Sequence, residues 1–130
     1  MVYTKCMSFT QNTRIAVVGA STDPQKYGNR IMSDLLAAGY SVEGINPKGG
    51  QIADKQLYST LADLPQVPEL VIIVVPPTAG ITVLKECAQL GITEVWMQPG
   101  AESEESEALA KKLGINLTTN TCFMKQQTIW

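Results

Sequence analysis

The chain contains no histidine among its 130 residues. Histidine is the commonest general base and metal ligand near neutral pH, so its absence excludes many forms of acid–base and metal catalysis. The three cysteines, Cys6, Cys87 and Cys122, form no C-x-x-C pair and are odd in number, so neither a disulfide framework nor a structural zinc site is expected. We therefore predict no catalytic residue and no metal site, which favours a binding protein over an enzyme.

The sequence also has no excess of basic residues and no long apolar run. Lys and Arg number 10 against 12 for Asp and Glu, so there is no positive field to attract nucleic acid or an anionic membrane. The longest apolar run, residues 70–75, is far shorter than the roughly 20 residues of a membrane span. Residues 1–13 show no pattern typical of a signal peptide. We expect a cytoplasmic protein with a small-molecule ligand; a homo-oligomer or a protein partner stays open.

Apolar runs and helical segments alternate along the chain. Short apolar runs predict five strands, at residues 14–19, 41–47, 69–77, 93–98 and 115–119. Helical periodicity predicts helices around residues 31–36, over residues 78–91, and from a cap at Ser103 to Gly114. Residues 55–65 offer at most one short helix, and the tail from residue 120 has no clear period.

Strands that are separated by helices pair in parallel through right-handed crossovers. The pattern therefore predicts an α/β fold, a Rossmann-like, doubly wound and mostly parallel five-stranded sheet. We expect one domain over residues 13–130, preceded by an N-terminal leader at residues 1–12. Such sheets bind ligands beyond the carboxyl ends of their strands, so the loops at that edge hold the candidate site.

The first of these loops resembles a dinucleotide-binding turn but departs from its glycine pattern. When G-x-G-x-x-G is aligned at Gly19, the second and third glycines fall on Ser21 and Pro24. Ordinary NAD binding is therefore not indicated. Ser21 and Thr22 nevertheless supply hydroxyls and backbone amides close to a helix start, where a phosphate is favoured. The alternative is a tight turn that binds no ligand.

The end of the second strand differs from NAD-binding proteins as well. Those proteins place an acidic residue there to hold the ribose hydroxyls, whereas this strand ends in Asn46, Pro47 and Lys48. Lys48 can pair with a phosphate, and the two glycines that follow let the chain fold closely around it. The alternative is a solvated loop lysine.

Motifs at the strand ends resemble the CoA-binding domain family, small Rossmann-like proteins similar to the nucleotide-binding domain of the succinyl-CoA synthetase alpha subunit. The resemblance covers roughly residues 13–124. Its motifs are IAVVGAS, GYSVEGINPK, LYSTLADLP, VIIVVPP, EVWMQPGAESEE and TNTCFM.

The resemblance implies a role for each loop. The first loop would contact the ADP phosphates, Lys48 would contact a phosphate, the third loop would lie on the adenine side, and the fourth would line the pantetheine path. The residues so implied are Gly19, Ala20 and Ser21 for the first loop, Val75, Pro76 and Pro77 for the third, and Gln98, Pro99 and Gly100 for the fourth.

The loop after the fifth strand contains Asn120 and Cys122, and the resemblance places the cysteine near the pantetheine arm. A thiol there could form a mixed disulfide with CoA under oxidation; alternatively it is a small buried apolar residue. With no histidine or evident cation nearby, we expect its spontaneous reactivity to be modest. Cys87 is expected in the core and Cys6 in the leader.

We predict that the chain binds CoA or an acyl-CoA non-catalytically through the loops at the strand ends. Synthetase alpha subunits carry a second domain with a phosphorylated histidine, so the resemblance does not extend to ligase activity in these residues. Three alternatives stay open: an NADP-dependent oxidoreductase that uses Lys48 for the 2′-phosphate, a subunit of a split acyl-CoA ligase, and an interaction protein that has lost its ligand.

Overall fold

A parallel sheet of five strands forms the centre of the molecule. The computed structural model describes residues 9–130, so Cys6 lies outside the described residues. The bounds of its strands are Arg14–Val18 (β1), Ser41–Ile45 (β2), Leu70–Ile73 (β5), Glu94–Met97 (β6) and Asn116–Thr118 (β7). These strands lie in the order β2-β1-β5-β6-β7, and every neighbouring pair is parallel.

Helices cover both faces of this sheet. Their bounds are Tyr27–Ala37 (α1), Pro77–Gln89 (α2), Glu104–Leu113 (α3) and Phe123–Gln126 (α4). On β1, Ile15 and Val17 pack in one core cluster with α1 and α4. Ala16 and Val18 point to the opposite face and pack in a second cluster with α2 and α3. Because successive strand residues face opposite sides, one apolar strand serves both cores.

This architecture confirms the predicted fold class. The chain runs from β1 to β2 on one side and then crosses back to β5 on the other side of β1. The strand order therefore reverses between β1 and β5, where doubly wound sheets form a ligand crevice. No helix in residues 9–130 is long and apolar enough to cross a membrane.

Two short segments differ from the sequence prediction. The crossover after β2 contains a small antiparallel hairpin, Gln51–Ile52 (β3) with Lys55–Gln56 (β4), before a 3-10 turn at Leu61–Asp63. The tail, in which the sequence shows no clear period, contains α4. Two-residue strands and a four-residue helix are too short to show a period, so pattern reasoning misses them.

The third predicted strand is also shorter than expected. It was predicted over residues 69–77, but β5 ends at Ile73. Pro76 precedes α2 and Pro77 is its first residue, a position where the missing amide hydrogen costs nothing. Val74 and Val75 therefore lie between the end of β5 and the start of α2, at the crevice.

Candidate functional site

A cleft of about 660 Å³ opens at the carboxyl edge where the strand order reverses. We call it the main cleft. It is formed by the loops that follow β1, β2 and β5. Its lining residues are Gly19, Ser21, Thr22, Lys26, Tyr27, Gly28, Asn46, Lys48, Gly49, Gly50, Val74, Val75 and Pro76. Seven of the residues predicted from the sequence are among them: Gly19, Ser21, Thr22, Asn46, Lys48, Val75 and Pro76.

The loop after β1 depends on a close approach between two glycines. Gly19 has φ +105°, which L side chains rarely adopt. A Cβ on Gly28 would lie 1.9 Å from the carbonyl oxygen of Gly19, so the start of α1 fits against this loop only without a side chain. The third glycine of G-x-G-x-x-G, which aligns with Pro24, normally allows this close packing of helix and strand. Gly28 has that role here, four residues later in the chain. Fixed-spacing alignment misses it because the loop is longer.

Side-chain amides hold the first two loops together. The Asn46 amide donates to the carbonyl of Ala20 at 2.8 Å, and its oxygen accepts from the Lys48 backbone amide at 2.9 Å. The Asn29 amide donates to the carbonyl of Ser21 at 2.7 Å. Asn46, a predicted site residue, lines the main cleft and also holds together the two loops that form it.

The main cleft is positively charged. Lys26 and Lys48 both line it, and no carboxylate appears among its lining residues. Lys48 is exposed and free to turn toward a ligand. Lys26, which sequence reasoning missed, is the residue immediately before α1. Its position in the sequence, directly before the helix that follows the Gly19 turn, could have identified it as a candidate site residue. The helix start and the two lysines together favour an anionic ligand.

A second, mostly apolar cavity of about 480 Å³ adjoins the main cleft, and we call it the side pocket. Gly19, Asn46 and Val75 line both cavities, so one elongated ligand could occupy the two. The other residues that line the side pocket are Val18, Ile45, Pro47, Ser59, Thr60, Ala79, Thr82, Val83 and Glu86.

The remaining predicted site residues line neither cavity. Ala20 is fully buried under the first loop, and Pro77 starts α2. Pro99, Gly100 and Asn120 are exposed residues of two other loops. The last two, Gln98 and Cys122, form a buried cluster of their own.

Gln98 holds Cys122 in a defined position. Gln98 is only 1% exposed, its amide nitrogen lies 3.3 Å from the thiol of Cys122, and its oxygen accepts from the Phe123 backbone amide at 2.7 Å. Gln98 therefore fixes the position of Cys122 from within the core. The resemblance implied instead that Gln98 lines the path of the ligand.

The thiol of Cys122 is more acidic than the sequence suggested. Burial by itself raises its pKa. Hydrogen bonds from the Lys125 and Met124 backbone amides, the Gln98 side chain and the Tyr27 hydroxyl outweigh that effect and lower the pKa below its ordinary value. The expectation of modest reactivity considered only cations, whereas neutral donors also stabilise a thiolate; the reactivity itself stays a prediction. Since Tyr27 lines the main cleft, this cluster adjoins it.

Solved structures resemble most of the chain. A conserved hypothetical protein from Pyrococcus furiosus is 39% identical, with a TM-score of 0.84 over 88% of this chain and 98% of that one. The dinucleotide-forming acetyl-coenzyme A synthetase 1 from Candidatus Korarchaeum cryptofilum, in complex with phosphate and ADP, is 29% identical, with a TM-score of 0.69 over 81% of this chain and 25% of that one.

Curated relatives are much longer enzymes. Acetate–CoA ligase (ADP-forming) I subunit alpha of Pyrococcus furiosus is 36% identical over 87 residues, which are 62% of this chain and 19% of that protein. Acetate–CoA ligase (ADP-forming) II of Archaeoglobus fulgidus is 31% identical over 115 residues, 79% of this chain and 17% of that protein. The chain spans less than a fifth of either.

The CoA binding domain family matches residues 13–128, which is nearly the whole described chain. This range includes all five strands and every loop of the main cleft. The resemblance inferred from the strand-end motifs is therefore confirmed, and the chain belongs to the CoA-binding domain family.

Proposed function

We propose that the chain binds coenzyme A, or an acyl-CoA, without catalysing a reaction on it. The observation that carries this proposal is that two cavities of different chemical character adjoin each other where the strand order reverses. The main cleft is cationic and rich in backbone amides, and the side pocket is mostly apolar. CoA combines three phosphate groups with a flat base and a slender arm, so it needs both kinds of surface.

The phosphates suit the main cleft. Ser21 and Thr22 present hydroxyls at the start of α1, and Lys26 and Lys48 provide two cations around the same space. Charge-assisted hydrogen bonds from lysine to phosphate are among the stronger polar interactions in proteins. Two separate cations match a ligand that carries a pyrophosphate and a further phosphate on its ribose.

The adenine suits the side pocket, and the pantetheine arm suits the opposite end of the main cleft. Val18, Ile45, Val75 and Val83 provide apolar walls for a planar base. From the phosphates the arm would pass Tyr27 toward Cys122. There the Cys122 thiolate can attack a CoA disulfide, forming a Cys122–CoA mixed disulfide and releasing the second CoA as a thiolate.

A second candidate is a CoA-binding subunit of a split acyl-CoA ligase. Two of the relatives from Pyrococcus furiosus are alpha subunits of ADP-forming acetate–CoA ligases, and the chain covers only 19% and 26% of their lengths. In this case another chain would supply the reaction centre, and the cleft would keep the same ligand.

Thermal unfolding with CoA, acetyl-CoA and NADP tests the proposal. A ligand at about 100 times its dissociation constant adds about 2.7 kcal/mol to the free energy of unfolding, which raises the midpoint by several degrees. We expect this shift with CoA and a smaller one in Lys48→Ala and Lys26→Ala. Lys112→Ala, on the exposed end of α3, is the control and should keep the full shift.

Two results would overturn the proposal. Stabilisation by NADP but not by CoA would favour the oxidoreductase. An unchanged midpoint with all three ligands would favour an interaction protein that has lost its ligand.

A further inference from the structure

One face of α2 forms a wall of the side pocket. Ala79, Thr82, Val83 and Glu86 all line the pocket, and their spacing of three and four residues places them along a single stripe of the helix. Ala79 and Val83 provide the apolar part of this wall. Thr82 and Glu86 bring polar atoms to it.

Among residues 9–130, Glu86 is the only one with a charged side chain that lines the side pocket. It is half-buried, and neither of the two ion pairs found within residues 9–130 involves it. Its carboxylate oxygens are therefore not neutralised by a neighbouring cation in the described chain. A carboxylate at an apolar pocket favours a ligand group that donates hydrogen bonds.

The two joined cavities thus have opposite charge. The main cleft carries Lys26 and Lys48, and the side pocket carries Glu86. A ligand that spans them should have an anionic part and, on its apolar part, a hydrogen-bond donor. Adenine meets the second requirement through its exocyclic amine, which is the only donor on the base once N9 is bonded to ribose.

We propose that Glu86 selects the base of the bound nucleotide by accepting a hydrogen bond from the exocyclic amine of adenine. This inference rests on the proposed function, because it assumes that CoA lies in the two cavities. Ser59, Thr60 and Thr82 also line the pocket, but a hydroxyl both donates and accepts, so it tolerates either kind of base edge. A carboxylate only accepts, which makes Glu86 the specificity-determining residue.

The proposed hydrogen bond is tested by removing the amine from the ligand and the Glu86 carboxylate from the protein. The probes are CoA and a CoA analogue in which purine replaces adenine, with binding measured by titration calorimetry. Because hydrogen bonds to charged groups are stronger than those between neutral groups, we expect the unaltered protein to bind CoA about tenfold or more tightly than the purine analogue. In Glu86→Ala the preference should fall close to one. Glu86→Gln, whose amide oxygen still accepts, should keep an intermediate preference.

Lys85→Ala is the matched control, since Lys85 is the exposed neighbour on α2 and does not line the pocket. It should leave the preference unchanged. If Glu86→Ala binds CoA and keeps the full preference, the inference is wrong and CoA binding stands. If the unaltered protein binds neither probe, the proposed function fails and the inference fails with it. Thermal unfolding without ligand checks that each variant folds.

Discussion

Two thiols in this chain show how local donors decide the chemistry of a residue. Burial and, to a smaller extent, the nearby Glu86 carboxylate together raise the pKa of the Cys87 thiol to about 12. Cys122 is also buried, but backbone and side-chain donors surround its sulfur and lower its pKa. The sequence shows two cysteines beside apolar residues, and only the fold reveals which one has hydrogen-bond donors.

The first prediction concerns the pH dependence of Cys122 alkylation in a Cys6→Ser background. Because the thiolate is the nucleophile, the lowered pKa means that the half-maximal rate with iodoacetamide lies below the pH of an ordinary thiol. Tyr27→Phe removes one donor and should move the profile to higher pH. Peptide mass spectrometry follows the modification, and Cys87 should stay unmodified. A Cys122 profile centred above the ordinary thiol value, and unmoved by Tyr27→Phe, would contradict this account.

At the scale of elements, the position of α1 against β1 depends on Gly28. The second prediction is that Gly28→Ala destabilises the protein by about 3 kcal/mol, because the added methyl would meet the Gly19 carbonyl and force α1 away. Denaturant unfolding measures the loss. Gly80→Ala, in α2, is the matched control: the nearest neighbour of its methyl would be the flexible end of Met97, at 3.1 Å, and the next atoms lie at an ordinary contact distance of 3.9 Å. A loss in Gly28→Ala no greater than in Gly80→Ala would mean that the loop adapts.

The third prediction concerns the start of α3. The Ser103 hydroxyl accepts from the Ser106 backbone amide at 3.0 Å, and the Ser106 hydroxyl accepts from the Ser103 backbone amide at 2.9 Å, which completes a capping box. Ser103→Ala should cost about 1 kcal/mol in the free energy of unfolding. Since α3 lines neither cavity, CoA affinity should not change. Ser21→Ala provides the contrast, with a weaker affinity for CoA and a smaller loss of stability.

The sequence predicts the large elements because each has enough residues to show its period. The cap at Ser103, the end of α3 at Gly114 and all five parallel strands are confirmed. The site is harder to predict, since it depends on distances between loops. Lys26, Tyr27 and Gly28 enter the cleft only because α1 starts at that point, and Glu86 enters the side pocket only because α2 crosses it. The predicted division into leader and domain stays a prediction.

At the scale of the whole molecule, net charge and local charge have opposite signs. The chain carries a formal net charge of −2, yet the described residues that line its main cleft include two lysines and no carboxylate. Carboxylates concentrate elsewhere, for example in the first turn of α3, where Glu104, Glu105 and Glu107 stabilise the helix start. An anionic ligand is therefore attracted by one region of a molecule that repels it overall.

The fourth prediction follows from this arrangement and concerns salt. When ionic strength rises from about 0.01 to 0.1 M, the Debye length falls from about 30 to about 10 Å. Repulsion by distant carboxylates is then screened, whereas contact between a phosphate and a lysine is screened less. Affinity for CoA should weaken with salt only moderately in the unaltered protein. In Lys26→Ala with Lys48→Ala the short-range attraction is gone, so added salt should have no weakening effect and should slightly improve the residual binding. Calorimetric titration at several salt concentrations measures both slopes. An equal loss of affinity with salt in the unaltered protein and the double variant would show that the two lysines do not contact the phosphates.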